Sequence, residues 1–198
     1  MPRASRHFLP HHIWHITHRC HRKDFLLKFA RDRQRWRYWL FQAKKRFGLC
    51  VLNYIVTSNH IHLLVRDRGE GKIARSMQLV AGRVAQEYNR RKSRKGAFWE
   101  DRYHATAVDS KGYLARCLVY IDLNMVRAGV VSHPGDWDVC GYREIQHPPQ
   151  RYAVIDRLAL RDLLDIHHDA GLRGHHAGWI ETALAKGDHA HEPCWSQS

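Results

Sequence analysis

What the chain lacks narrows its class before any motif is read. No apolar run approaches the ~18 residues a membrane span needs, so no membrane segment is expected. The start, Met1-Pro2-Arg3-Ala4-Ser5-Arg6-His7-Phe8, has no apolar stretch of the secretory kind. The five cysteines, Cys20, Cys50, Cys117, Cys140 and Cys194, are scattered, odd in number and never spaced C-x-x-C. That argues against a disulfide framework and against a cysteine-rich zinc site. It suits buried, inert thiols in a reducing cytosol. No G-x-x-x-x-G-K-S/T phosphate loop is present, so no nucleotide cofactor is expected. Acidic residues are also scarce.

What is there points to a polyanion. Thirty-three Lys and Arg against nineteen Asp and Glu leave +14, and seventeen histidines can add to it. For a chain of this size nucleic acid is the first candidate partner. A length of 198 residues suggests one domain with an appendage, and 44% hydrophobic content is enough for a real core.

Hydrophobic spacing gives the order of elements. Residues 13–19 alternate as a strand, and 32–47 carry a helical stripe that Gly48 would end. Two strands, 50–57 and 60–65, form a tight hairpin around Ser58-Asn59. A second amphipathic helix runs over 73–88 into the basic loop Arg90–Gly96. A fourth strand is expected over 98–108, then a helix capped by Asp109 or Ser110 and ending at Gly129. The order β-α-β-β-α-β is that of an α+β, ferredoxin-like (RRM-like) fold: a four-stranded antiparallel sheet with helices on one face. We divide the chain into a core unit, 1–146, and a C-terminal extension, 147–198. The extension has helices over 157–167 and 177–185 and a loose end.

His60-Ile61-His62 is the sharpest chemical feature. On a strand, residues two apart share a face, so both imidazoles project together and could hold a divalent metal with a third ligand. Tyr120 and Asn124 lie a turn apart on the helix after the fourth strand, flanked by Arg116 and Arg127. Spacing alone leaves two readings open here, a solvent-facing polar stripe or a nucleophile beside a metal ligand. His11, His12, His18 and His21 near Cys20, and His189-x-His191-x-x-Cys194, are read as ordinary histidines and not as ligands.

These residues resemble a known family. His-hydrophobe-His on a central strand with Tyr-x-x-x-Asn on a later helix resembles the single-tyrosine HUH transposases. Pro2-Arg3, the stretch Trp14 to Arg19, the stretch Asn53 to Val65 and the stretch Tyr120 to Gly129 are similar to the REP-associated tyrosine transposases of bacteria. The likeness spans about Pro2 to Tyr142, with Met125 where the family has proline.

The resemblance implies a metal-dependent single-stranded DNA endonuclease and strand-transferase. It would act on palindromic hairpins through a 5′-phosphotyrosine intermediate. Catalytic residues would be Tyr120, His60, His62 and Asn124, with Mg²⁺ or Mn²⁺ on His60, His62 and Asn124. His15, on the neighbouring strand, would lie beside them. From position, Arg83, Arg90, Arg91, Lys92, Arg94, Lys95, Arg116 and Arg127 are candidate DNA contacts, and Trp14, Tyr54, Phe98, Trp99 and Tyr103 candidate stacking platforms. A monomer is favoured over a dimer, in the cytoplasm at the bacterial nucleoid. The competing reading is a non-catalytic, RRM-like single-stranded nucleic-acid-binding protein, and a third is an unrelated metalloprotein.

Overall fold

The computed structural model describes residues 11–109 and 111–187. Its strands are β1 (Ile13–Arg19), β2 (Cys50–Val56), β3 (His60–Arg66) and β4 (His104–Val108), all antiparallel in the order β2-β3-β1-β4. Helices α1 (Ala30–Phe47) and α2 (Lys72–Arg91) are the crossovers, and α3 (Lys111–Asp122) follows β4. The four-stranded α+β architecture is the expected one.

The register sets the two faces. Thr17 pairs with His62 and His15 with Leu64, so His15, Thr17, His60, His62 and Leu64 share one face. Trp14, Ile16, Ile61, Leu63 and Tyr54 take the other, where Trp36 of α1 meets the Tyr54 ring at 6.4 Å. The two crossover helices cover that apolar face. α3 crosses the opposite one.

Several boundaries differ from the sequence pattern. β4 is confined to His104–Val108. Upstream of it residues 98–100 still pair with the end of β1, through a Cys20–Trp99 bridge and Glu100 N donating to Arg19 O at 3.0 Å, and 101–103 interrupt the ladder. Phe98 is buried, and Trp99 donates from Nε1 to the Ala81 carbonyl of α2 at 3.0 Å. α2 continues through Arg91, so Arg90 and Arg91 are helical and not part of a loop. The helix expected up to Gly129 is interrupted at Leu123, and α4 (Asn124–Arg127) follows it. The cap at Ser110, the Pro2-Arg3 motif, Cys194 and the His189/His191 group lie outside the described residues. The other four cysteines are buried, and burial raises the thiols of Cys20 and Cys140 to about 12 and of Cys50 to about 11. Among the described residues no helix is long and apolar enough to cross a membrane.

The C-terminal part carries more structure than its pattern suggested: α5 (Gly141–Gln146), α6 (Arg157–Leu164) and α7 (Asp169–Lys186). α7 is twice the expected length. Its start is capped by the His168 side chain, which accepts from Gly171 N at 2.8 Å, and three internal glycines hide its periodicity. Before α6, Ile155 bridges to Val51, and Asp156 N donates to the Val51 carbonyl at 2.7 Å. Val56 N likewise donates to Val139 O at 3.0 Å. These bonds cover the free edge of β2, which explains why an edge strand is buried at every position.

Beneath α3 lies a buried polar network. The Asp122 carboxylate accepts from Asn53 Nδ2 at 3.0 Å and lies 2.7 Å from His176 Nε2 of α7. Both members of the Asp122–His176 pair have fully buried side chains. Gln146 Nε2 sits 3.0 Å from the other ring nitrogen of His176. A Cβ at position 141 would fall 1.9 Å from the Asn53 amide oxygen, so only glycine lets Asn53 reach Asp122. Replacing one partner of such a pair with an apolar group strands the other in a dry interior. His176→Leu should therefore cost about 3–5 kcal/mol in urea-unfolding free energy. A loss below about 1 kcal/mol would show that the network does not carry this load.

Candidate active site

The site forms where α3 lies across the histidine-bearing face. Strand alternation places His60 and His62 together, with ring centroids 5.0 Å apart. The next strand adds His15, stacked on His62 at 5.1 Å. From above, the Tyr120 ring meets His62 edge-on at 5.6 Å and His15 at 5.9 Å. Asn124 Nδ2 is 3.0 Å from His62 Nε2. Tyr120 is half-buried against the sheet, while Arg116 of the same stripe is exposed.

One assignment of the ring protons satisfies the hydrogen bonds when the Asn124 amide nitrogen donates. His62 Nε2 accepts from Asn124, so its Nδ1–H donates to His15 Nε2 at 2.9 Å. His60 Nδ1–H donates to Asn59 Oδ1 at 2.7 Å, leaving Nε2 with the lone pair. Burial pushes His15 down to about 4; burial, then the Arg19 and Arg127 charges, do the same for His60. Burial holds His62 well below the usual imidazole value, reinforced by His15 and His60. All three are neutral at pH 7.

Neutral imidazoles with their second nitrogen held by a partner are the form that ligates metals. Among the described residues no group of three His, Cys, Asp or Glu is arranged for an ion. The donor set here is two imidazoles and one amide. The Asn124 amide lies 3.0 Å from His62 Nε2, close enough for both to contribute to one ion once the amide turns its oxygen inward. The residues fit a divalent cation.

Around them opens a cleft of about 490 Å³, lined by Thr17, His18, Arg19, His60, His62, Glu100, Asp101, Arg102, His104, Tyr120 and Asn124. Arg19 and Arg102 bring positive charge that the sequence reading had not singled out. Arg19 was findable, since it shares the period-two face with His15 and pairs with His60. Arg102 was not, because 98–103 had been read as strand. Arg127, expected as a phosphate clamp, is committed to the tyrosine. Its guanidinium lies 4.0 Å over the Tyr120 ring and donates to the Tyr120 carbonyl at 2.8 Å.

A model of the IS200-like transposases matches residues 9–124. The chain belongs to that family. No curated protein matches this transposase. Among solved structures it is similar to a REP-associated tyrosine transposase bound to a REP hairpin, at a TM-score of 0.57 and 17% identity, over 79% of this chain and 94% of that one. That likeness shows the shared fold. A protein of Deinococcus radiodurans described as a transposase is a looser match, at a TM-score of 0.42 and 15% identity, over 61% of this chain and 96% of that one.

The other residues picked for DNA contact are spread over the transposase. Arg91 pairs with Asp32, Arg94 Nη1 donates to Asn89 Oδ1 at 3.1 Å, Arg83 lies over Trp39 and Arg116 over Tyr113. Arg90, Lys92 and Lys95 are exposed. Of the stacking candidates, Tyr54 and Phe98 are core residues. Trp99 is half-buried and stacked on His18 at 4.1 Å, and Trp14 and Tyr103 are half-buried as well.

The depressed imidazoles make stability depend on pH. Unfolded histidines take protons near 6.5, whereas His15 and His60 resist until about 4. Their contribution is therefore complete above ~6.5 and is lost as pH falls towards 4, at about 1.4 kcal/mol per unit and imidazole. In metal-free buffer the urea midpoint should drop between pH 7 and pH 5, and His15→Leu should lessen the drop. An equal drop in the variant would contradict a buried neutral His15.

Proposed function

We propose that this transposase cuts and rejoins single-stranded DNA beside a palindromic hairpin, with Tyr120 as its nucleophile. One observation carries the reading: Tyr120, His62 and Asn124 line one cleft, with His15 stacked behind His62, and Arg19 and Arg102 stand with Glu100 and Asp101 in the same lining. The similar solved structure, bound to a REP hairpin, supports a substrate of that shape.

In the cleavage step the Tyr120 oxygen bonds to phosphorus as the bond from phosphorus to the 3′-oxygen breaks. The tyrosine proton ends on the released 3′-hydroxyl, and the 5′-phosphate stays on the protein. Attack by a 3′-hydroxyl reverses the step and joins strands. The bond energy is kept in the phosphotyrosine, so no nucleotide triphosphate is consumed.

A phenol with an ordinary pKa of ~10 needs help at neutral pH. His60, His62 and Asn124 would hold the divalent ion, Mg²⁺ or Mn²⁺, which when bound polarises the phosphate and offsets charge on its oxygens. Two imidazoles lean towards Mn²⁺. His15 keeps the His62 lone pair directed at that position. Arg127 packs on the Tyr120 ring and fixes its approach. Arg19 and Arg102 neutralise phosphates, with Arg83, Arg90, Arg91, Lys92, Arg94, Lys95 and Arg116 as a wider field.

Tyr120 meets His62 within one chain, so the site can assemble without a partner, and a monomer is the working unit we favour. Its catalytic unit is 1–146, and 147–198 is an extension that braces the tyrosine helix. A DNA substrate places the protein in the bacterial cytoplasm, at the nucleoid. A purely binding role would leave the convergence of Tyr120 on two neutral histidines without purpose.

The test uses labelled single-stranded oligonucleotides carrying the palindromes found around the gene, with Mg²⁺, Mn²⁺ or chelator. On a denaturing gel the wild type should give a metal-dependent covalent adduct. Tyr120→Phe should bind the DNA and give none, and His60→Ala should lose activity by at least 100-fold, the low end for removing a transition-state charge stabiliser. An adduct in Tyr120→Phe would remove the nucleophile assignment, and full activity in His60→Ala the metal site.

A further inference from the structure

Six large apolar side chains are strongly exposed among the described residues, and Phe25 (66%) and Phe29 (58%) share one short stretch. That stretch leaves β1 at Cys20 and is fastened to the turn that presents His60. Leu27 N donates to Ser58 O at 2.9 Å, and Asn59 Nδ2 donates to Lys23 O at 3.1 Å. The same Asn59 accepts from His60 through Oδ1. Leu26 and Leu27 point into the core, and Arg33 holds the Leu27 carbonyl at 3.2 Å. Two leucines in and two phenylalanines out is a fixed presentation.

The stretch that carries the two rings is basic. Arg22, Lys23, Lys28 and Arg31 are exposed in the same stretch, against Asp24 alone. Lys92, from the basic segment after α2, places Nζ 5.6 Å from the Phe29 ring centroid. Aromatic faces interleaved with cations are what a single strand binds: bases stack on the rings and phosphates meet the charge. A duplex keeps its bases stacked internally and has no use for the rings. An apolar protein partner would have to bury four cations beside one acid.

We infer that Phe25 and Phe29 form a stacking platform for unpaired DNA bases beside His60, guiding the single strand into the cleft. The inference rests on the function proposed above and names a surface that this function leaves unspecified.

The test is fluorescence-polarisation binding by the full chain, with a labelled dT 20-mer and a labelled dA·dT duplex of equal length. The Phe25→Ser/Phe29→Ser double variant should lose affinity for the single strand by about 5- to 150-fold per stacked base. Duplex affinity should change less than about two-fold, and the slope of log affinity against log salt should stay unaltered, because no charge is removed. Phe25→Trp/Phe29→Trp should restore single-strand binding. A double variant that binds the 20-mer as wild type does overturns the platform while the DNA-cleaving reading stands. A lower salt slope would make the loss electrostatic and overturn it too. Wild type that binds neither probe overturns the proposed function and the platform with it.

Discussion

The site depends on a carboxylate that never meets the substrate. Asp122 is two residues from Tyr120 and two from Asn124, and it is buried between β2 and α7. Its side chain points down into the sheet and the extension, while Tyr120 and Asn124 turn towards the histidines. A helix seated on a polar anchor has one rotation and one height. An apolar seat of the same area would allow sliding, since hydrophobic burial is non-directional. A buried carboxylate costs more than it returns unless its partners are all in place. Asn53 of β2 and His176 of α7 are those partners, and Gly141 of α5 leaves the space that Asn53 occupies.

This couples the extension to the chemistry without contact between them. The family match ends at residue 124, yet α5 and α7 complete the support under α3. The same segment bonds to the open edge of β2, where an unpaired strand would invite pairing with another chain. One stretch of chain therefore protects the sheet and sets the tyrosine helix.

Legibility from the sequence followed the range of the interaction. β1 and β3 were readable because a period of two is local, and that period alone put His60 and His62 on one face. α1 was readable from its stripe and from Gly48, which adopts φ +69 as a helix-ending residue does. β4 is shorter than its pattern because 101–103 break the ladder, while 98–100 still bridge to the end of β1 and send Phe98 and the Trp99 indole towards the core and α2. α7 was shortened because glycines 171, 174 and 178 weaken the pattern while tertiary contacts supply the stability. Asp122 and His176 gave no signal, since residues fifty apart in sequence declare nothing about each other. Phe25 and Phe29 carry no periodic signal, and only the folded chain shows them outside.

The electrostatics of the cleft resolve an apparent conflict. A chain of net charge +14 offers a poor home to a divalent cation, and Arg19 and Arg127 already lower the His60 pKa. Burial does the larger part of that lowering, and it keeps the imidazoles neutral, so the cation meets lone pairs and not further positive charge. The net field serves a different species, because a phosphate backbone entering the cleft brings the negative charge that the ion and the arginines need. On the proposed function, ion and DNA would stabilise each other's binding, and by linkage the coupling would be equal in both directions. A site built from neutral donors inside a basic surface would thus be fully assembled only with the nucleic acid in place.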